Sequence, residues 1–163
     1  MSTSMEITHH HFRETLANYP TGVTVVTSCG DLEEPVGMVV GTFTSASLEP
    51  PLVAFLPDKR SASWKKLSKL NNYCFNILGA HQVEICRILS SKEANKFSYI
   101  QWTLNKFGAP AISGSIVQID CIKESEYEAG DHLIVLARVI EMNIGEQEMP
   151  LLFHRGRFGT FTP

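Results

Sequence analysis

Residues 37–53 read Gly37-Met38-Val39-Val40-Gly41-Thr42-Phe43-Thr44-Ser45-Ala46-Ser47-Leu48-Glu49-Pro50-Pro51-Leu52-Val53. The stretch passes from an apolar run through small residues and hydroxyls to a rigid Pro-Pro pair, and then into a second apolar run. This order predicts a buried strand, a polar loop and another buried strand. The hydroxyls of the loop either line a ligand pocket or bond their own backbone, and the stretch by itself favours the second interpretation.

The composition is typical of one globular domain. The chain has 163 residues, of which 44% are hydrophobic and 19% charged, so it can bury a full core and we expect a single domain over residues 1–163. The lack of a membrane-length apolar run and of a secretory signal predicts a cytoplasmic protein without membrane contact. A formal net charge of −3 leaves no broad basic surface, which argues against nucleic acid as a partner.

Neither the cysteines nor the histidines form a metal-binding pattern. The cysteines are widely spaced and include no C-x-x-C pair, so neither a zinc site nor a dithiol redox motif is indicated. They are Cys29, Cys74, Cys86 and Cys121, and three of them lie in apolar stretches, where reduced and packed thiols are usual. The triplet His9-His10-His11 lies in a predicted helix, where successive side chains diverge, without a carboxylate or cysteine arranged nearby. We therefore expect no metal site.

Short strands separated by turn signals make up most of the chain. Helices are predicted over 9–19 with Thr8 as the N-cap, from 59 with Ser61 or Ser63 as the N-cap, and over 81–89. Strands are predicted over 22–28, from 36, and over 52–56, 72–78, 115–127, 132–144 and 151–161, the last interrupted by a basic turn. Residues 90–109 form either a helical lid or an irregular excursion. This order predicts a closed or nearly closed β-barrel with helical insertions, and neither a G-x-G-x-x-G nor a P-loop motif is present.

The start of the second predicted helix combines groups that suit a phosphate. Lys59 and Arg60 supply two cations, and Ser61 and Ser63 supply two hydroxyls beside the free amides of a helix start. The alternative is an ordinary capped helix with solvated basic residues. The residues alone leave both interpretations open.

Further motifs follow one another along the chain. They are Phe12-Arg13, Pro20 to Thr27, Val36-Gly37-Met38, Phe43 to Val53, Lys59 to Trp64, Lys96-Phe97, Gly130-Asp131-His132 and Leu151 to Gly159. In this order and at these spacings they resemble the short-chain flavin reductase family, a group of FMN-binding split barrels that supply reduced flavin to two-component monooxygenases. The resemblance runs from Phe12 to Phe161, nearly the whole chain. Val39 and Gly41 depart from the pattern, since many relatives carry hydroxyl or amide side chains there, so two flavin contacts are either lost or made through the backbone.

The resemblance implies a mainly β fold, an FMN-binding split β-barrel with Greek-key topology and a few inserted helices. It also implies a homodimer with a flavin groove near the dimer interface. In that groove, the residues that follow the isoalloxazine and the ribityl chain would be Gly41, Thr42, Phe43, Thr44, Ser45 and Ser47. By the same resemblance, the flavin phosphate would be held by Lys59, Ser61 and Ser63. Lys96 and Phe97 would border the groove.

The resemblance also assigns residues to the nicotinamide nucleotide. It implies that the nucleotide lies near His132 of the Gly-Asp-His motif and near the terminal turn that contains His154 and Arg155. We expect His132 to be catalytic, by polarising the nicotinamide carboxamide or adjusting its position, and the alternative is a loop histidine that bonds its own hairpin. Arg155 and Arg157 suit the phosphates of the nucleotide, because guanidinium groups match phosphate oxygens, and the alternative is a solvated turn.

The function that the resemblance implies is NAD(P)H:flavin oxidoreductase activity on FMN or FAD, with the reduced flavin passed to a partner monooxygenase. Hydride would pass directly from nicotinamide to flavin N5, so the cofactors carry the chemistry and no nucleophile and base pair is required. No elbow motif in the sequence indicates such a pair. Two alternatives stay open, a flavin-binding or storage protein of the same fold without turnover and a split barrel that binds another planar ligand such as haem. The sequence distinguishes neither FMN from FAD nor NADH from NADPH.

Overall fold

Strands form most of the structure, a computed structural model that describes residues 6–32 and 34–163. The helices are α1 (His9–Leu16), α2 (Ala62–Leu67) and α3 (Val83–Ser90), with 3-10 turns at Ala80–Gln82 and Lys96–Tyr99. The strands are β1 (Thr21–Gly22), β2 (Thr24–Cys29), β3 (Pro35–Val40), β4 (Thr44–Leu48), β5 (Pro51–Phe55), β6 (Asn72–Ile77), β7 (Trp102–Leu104), β8 (Pro110–Ile112), β9 (Val117–Ala129), β10 (His132–Ile144), β11 (Leu151–His154) and β12 (Arg157–Thr160).

The largest sheet is antiparallel and has the strand order β3-β2-β6-β9-β10-β5-β4. Strands β3 and β4 follow each other in the chain yet lie at opposite edges of this sheet, joined only by Gly41-Thr42-Phe43. Because four Cα steps span at most about 15 Å, the two edges must curl round until they nearly meet. The sheet is therefore a nearly closed barrel, and we call the connection across its gap, residues 41–43, the seam.

Strand β2 is buried on both faces and separates two cores. Val26 faces the barrel interior, whereas Val25 faces the opposite side, because successive side chains of a strand alternate across the sheet. The interior core contains aromatic rings with centroids 5.4 to 6.3 Å apart, those of Phe55, Trp64, Tyr73 and Phe75. On the opposite side, Leu89 of α3 and Phe97 of the second 3-10 turn cover the sheet.

The chain ends in a separate sheet with the order β1-β11-β12. Its hairpin turns at Arg155 and Gly156, which have φ values of 49° and 75°, in the region that glycine tolerates best. The backbone amide of Arg155 donates to Ala17 O at 3.0 Å, which attaches the end of α1 to this terminal hairpin. The first helix and the last two strands thus form one layer beside the barrel.

Two local predictions are wrong, and one pair of alternatives is decided. The predicted polar loop is partly an edge strand, since Thr44–Leu48 forms β4 and pairs antiparallel with β5. Hydroxyl residues suit this position because an edge strand can leave one face in solvent. The second helix is shorter than predicted, and Leu70 lies beyond its end at Leu67. Of the two alternatives for residues 90–109, the structure agrees with the irregular excursion and not with the helical lid. The regular parts of this segment are the 3-10 turn Lys96–Tyr99 and β7, which pairs with β8.

Two other predictions are confirmed, the N-cap of α1 and the packed cysteines. Thr8 is the N-cap of α1, and its Oγ1 accepts a hydrogen bond from His11 N at 3.2 Å. The thiols of Cys74, Cys86 and Cys121 are buried, and burial raises the pKa of Cys86 to about 11. In the described parts of the chain, no helix is long and apolar enough to cross a membrane. Over the same residues, no group of three or more His, Cys, Asp or Glu is placed to hold a metal ion.

Candidate functional site

The seam is held on both sides by its neighbours. A Cβ atom on Gly41 would lie 2.9 Å from Thr21 Oγ1, so the larger side chain of the family pattern does not fit here unless Thr21 moves. Thr42 Oγ1 accepts a hydrogen bond from Leu56 N at 2.9 Å, and Phe43 packs against the interior core. Thr42 therefore bonds the backbone, as expected if the hydroxyls of residues 37–53 bond their own backbone instead of lining a ligand pocket.

The remaining hydroxyls of the opening stretch lie on the edge strand β4. Thr44 and Ser45 are exposed, and Ser47 is half-buried. Thr44 Oγ1 donates to Ser45 O at 3.3 Å. Because β4 begins where the seam ends, these hydroxyls form an accessible rim beside the gap of the barrel.

Next to the seam, residues 57–61, which follow β5, contact residues 128–132, where the chain turns from β9 into β10. We call this contact the junction. The ammonium group of Lys59 donates to the carboxylate of Glu128 and, at 2.7 Å, to Gly130 O. These bonds join the segment that leads into α2 to the tip of the β9–β10 hairpin. Lys59 therefore already has an acidic partner within this chain.

Each of two further carboxylates of the junction is paired with a neighbour. Arg60 Nη2 lies 2.8 Å from Asp58 Oδ2, and this contact holds the pKa of Asp58 well below its usual range. His132 Nδ1 lies 2.7 Å from Asp131 Oδ1, and the hydrogen bond lowers the pKa of Asp131. Asp58 also forms a β-bridge with His132. Arg60 thus forms an ion pair with Asp58. His132 bonds its own hairpin, which agrees with the alternative interpretation of this residue as a loop histidine.

Ser61 caps the second helix. Its Oγ accepts a hydrogen bond from Trp64 N at 3.2 Å, which satisfies one of the free amides at the start of α2. A hydroxyl that accepts a hydrogen bond can still donate its own hydrogen, so Ser61 can cap the helix and also donate to a ligand. Ser61 and Ser63 are both half-buried.

A groove of about 730 Å³ lies between α2, β3 and the segment 89–102. Its lining includes Val36, Gly37, Ala62, Ser63, Lys66, Leu89, Lys96, Phe97 and Trp102. A Cβ atom on Gly37 would lie 2.8 Å from Phe97 Cζ, so the missing side chain makes room for the ring. Lys96 Nζ donates to Leu89 O at 2.7 Å, which ties the groove wall to α3.

A second cavity, of about 820 Å³, lies on the terminal hairpin, and we call it the terminal pocket. Its lining consists of Pro20, Leu152, His154, Arg155, Arg157, Phe158, Gly159 and Thr160. His154 Nε2 lies 3.2 Å from Asn18 O, so the pocket is bounded by the segment that follows α1. None of the residues that line the terminal pocket lines the groove.

The structure thus distributes the predicted site residues over several places. In the seam and on the adjoining rim of β4 lie Gly41, Thr42, Phe43, Thr44, Ser45 and Ser47. At the junction lie Lys59, Ser61 and His132. In the groove lie Ser63, Lys96 and Phe97. In the terminal pocket lie His154 and Arg155. Sequence reasoning missed Glu128 as the partner of Lys59, although the acidic tip of the β9–β10 hairpin was visible in the sequence, and it missed Lys66 and Trp102 in the groove.

Comparison with known proteins finds the same family along almost the entire chain. Residues 16–162 match the family described as "Flavin reductase like domain". The chain is 45% identical to a flavin reductase of Pseudomonas putida over 150 residues, 92% of this chain and 88% of the relative. It is 39% identical to HsaB of Rhodococcus jostii RHA1, the reductase subunit of a flavin-dependent monooxygenase, over 93% of this chain and 77% of the relative.

A solved structure gives the corresponding likeness in three dimensions. It is the NADH:FAD oxidoreductase SgcE6 of Streptomyces globisporus C-1027 in complex with NAD and FAD fragments, with a TM-score of 0.88 and 35% sequence identity. The alignment covers 94% of this chain and 93% of that one. The predicted mainly β, FMN-binding split β-barrel is therefore confirmed as the fold.

Proposed function

Because this chain belongs to the flavin reductase family and is an oxidoreductase, we propose that it reduces FMN or FAD with NADH or NADPH and supplies the reduced flavin to a partner monooxygenase. A similar enzyme solved with NAD and FAD fragments supports flavin and NADH as substrates. Similarity to a monooxygenase reductase subunit supports the partner. The proposal includes NADPH as an alternative hydride donor.

The junction is the observation that carries this proposal. One short segment of the junction carries the ammonium of Lys59 and, two residues later, the hydroxyl of Ser61, and both donors suit phosphate oxygens. His132, which we assign to the nicotinamide, contacts the same loop through Asp58. This donor set fits a phosphorylated ligand such as flavin. We therefore propose that Lys59 and Ser61, with Ser63 nearby, bind the flavin phosphate.

We propose that the seam, the rim on β4 and the groove contact the rest of the flavin. Thr44, Ser45 and Ser47 would donate to the isoalloxazine and the ribityl chain from the rim, and Gly41 to Phe43 would do so through the backbone. Lys96 and Phe97 would border the flavin from the groove. Lys96 retains donors for this purpose, because an ammonium group has three and Leu89 O accepts from one.

When flavin and nicotinamide are bound, hydride passes from nicotinamide to flavin N5, and this chemistry belongs to the cofactors. The chain has to hold the reacting atoms about 3 to 3.5 Å apart. We propose that His132 contributes by holding the carboxamide. Asp131 accepts from Nδ1, so Nε2 of the neutral ring is an acceptor for the carboxamide amino group.

We further propose that the chain is one domain over residues 1–163 and works as a homodimer. The seven-stranded sheet contributes to both cores, which supports a single domain. The terminal pocket has no lining residue from the junction, and we propose that His154 and Arg155 contact the nicotinamide nucleotide in the dimer. Arg155 and His154 are exposed, so both are accessible to a ligand.

The direct test is an activity assay with the purified protein. NADH or NADPH is mixed with free FMN or FAD, and oxidation of the nucleotide is followed by its absorbance. We expect oxidation that depends on both the protein and the flavin. No oxidation with any of the four combinations would contradict the proposed enzyme. A yellow protein that holds flavin yet consumes no nucleotide would indicate storage instead.

A further inference from the structure

Lys59 has a carboxylate partner at the position where the proposed function needs a phosphate. Its ammonium donates to Glu128 and to Gly130 O. An ammonium group has three donors and no acceptor, so two of its three donors are in use. A phosphate that binds Lys59 must therefore share the group with Glu128 or displace it.

Glu128 is the carboxylate of the junction that is paired with Lys59. Asp58 is paired with Arg60 at 2.8 Å, and Asp131 is paired with His132 at 2.7 Å. These two carboxylates are thus matched with their own cations. Removal of Glu128 would leave those pairs in place and would change the charge next to Lys59 alone.

The pair can open without damage to the fold. The side chain of Glu128 is 78% exposed and that of Lys59 is 35% exposed. An ion pair with so much solvent around it contributes little to folding stability. The bond from Lys59 to Gly130 O is independent of Glu128 and can hold the ammonium in place when the carboxylate moves into solvent.

We propose that Glu128 is an internal counter-ion that competes with the flavin phosphate for Lys59 and thereby sets the affinity for flavin. The inference rests on the proposed function, in which Lys59 binds that phosphate. A reductase that hands flavin to another enzyme must release it, and a competing carboxylate weakens binding at the phosphate end. This competition should weaken the binding of FMN and FAD, whereas the binding of riboflavin, which has no phosphate, should be unaffected.

Binding titrations of FMN and riboflavin at low ionic strength test the inference. We compare the unmodified protein with Glu128→Gln, Lys59→Met and the double variant. Glu128→Gln should bind FMN about two- to fivefold more tightly, the range for an exposed ion pair, and riboflavin equally well. Lys59→Met should weaken FMN binding, and Glu128→Gln should then have no further effect. Added salt should reduce the difference, because it screens exposed charges.

Glu124→Gln is the matched control. Glu124 also lies on β9, and its carboxylate pairs with Arg138 at 3.0 Å instead of Lys59. This variant removes the same charge and should leave FMN affinity unchanged. The inference would be overturned if both glutamine variants increased FMN affinity equally. It would also be overturned if Glu128→Gln increased FMN affinity in the Lys59→Met background.

The results separate the inference from the function on which it rests. If Lys59→Met weakens FMN binding and Glu128→Gln leaves FMN affinity unchanged, the proposed role of Glu128 is contradicted, whereas the proposed phosphate site at Lys59 is supported. If Lys59→Met leaves FMN affinity unchanged, the phosphate site and the counter-ion both fail. Loss of the whole reductase proposal would appear separately, as a failure to oxidise NADH in the activity assay.

Discussion

At the scale of single residues, the contact between Asp131 and His132 decides how the imidazole can act. His132 Nδ1 lies 2.7 Å from Asp131 Oδ1, and the hydrogen bond to His132 lowers the pKa of that carboxyl. An ionised carboxylate can only accept, so the proton lies on Nδ1 and Nε2 of the neutral ring is an acceptor. We therefore propose that the neutral ring of His132 positions the carboxamide through its amino group.

Replacement of His132 tests this positioning. His132→Ala should raise KM for NADH about five- to tenfold, the effect of one lost hydrogen bond, with a smaller change in KM for flavin. Asp131→Asn should have a milder effect in the same direction, because the amide oxygen can still accept from Nδ1. His81→Ala is the control, since His81 is exposed and lies in the first 3-10 turn, away from the junction. A larger rise in KM for flavin than for NADH would contradict the assignment.

At the scale of elements, the segment 96–112 is held to the barrel by buried polar bonds. Asn76 Oδ1 accepts from Ile112 N at 2.8 Å, and Thr27 Oγ1 donates to Pro110 O at 2.5 Å. Asn76 and Thr27 are fully buried, so each of these bonds replaces one that the group would otherwise make with water. These bonds hold β8, which pairs with β7, and Trp102 of β7 packs its ring against Phe97 in the groove wall.

Gly37 of β3 should be essential for the shape of that wall. Gly37→Ala places a Cβ atom 2.8 Å from Phe97 Cζ, so the ring must shift within the second core. We expect a loss of about 1 to 3 kcal/mol in the free energy of unfolding and weaker flavin binding. Chemical denaturation and flavin titration measure the two effects.

Two variants control this experiment. Gly22→Ala should leave stability nearly unchanged, because a Cβ atom there would have no neighbour within 4 Å. The double variant Gly37→Ala with Phe97→Leu should recover part of the stability, since the smaller side chain makes room for the added methyl group. Equal stability of Gly37→Ala and Gly22→Ala would show that the close contact with Phe97 is unimportant.

At the scale of the whole molecule, an apolar stripe runs along the end of β10. Met142 and Ile144 share one face of the strand, because they are two residues apart and both lie beyond the register shift between Val139 and Glu141, and they are 65% and 86% exposed. Contiguous apolar side chains in solvent usually mark an interaction surface. We propose that a second copy of this chain covers the stripe.

The oligomeric state tests this surface. In analytical ultracentrifugation we expect the unmodified protein to sediment as a dimer. Met142→Glu should shift it toward the monomer, because burial of an unpaired carboxylate is unfavourable. Leu104→Glu is the control, since Leu104 is 46% exposed on the separate β7–β8 hairpin. A monomeric unmodified protein would contradict the homodimer, and a dimeric Met142→Glu variant would contradict the proposed surface.

Elements with local signals can be predicted from the sequence. They include the N-cap Thr8, the strand over 22–28 and the two long strands around Gly130, because caps, turns and strand propensity involve neighbouring residues. The family pattern added the split barrel and the candidate site residues. The pairing of β4 with β5 and the contact of Lys59 with Glu128, which is 69 residues away, are visible only in the folded chain. Such contacts depend on strand order and register across the whole sheet, which no single segment encodes.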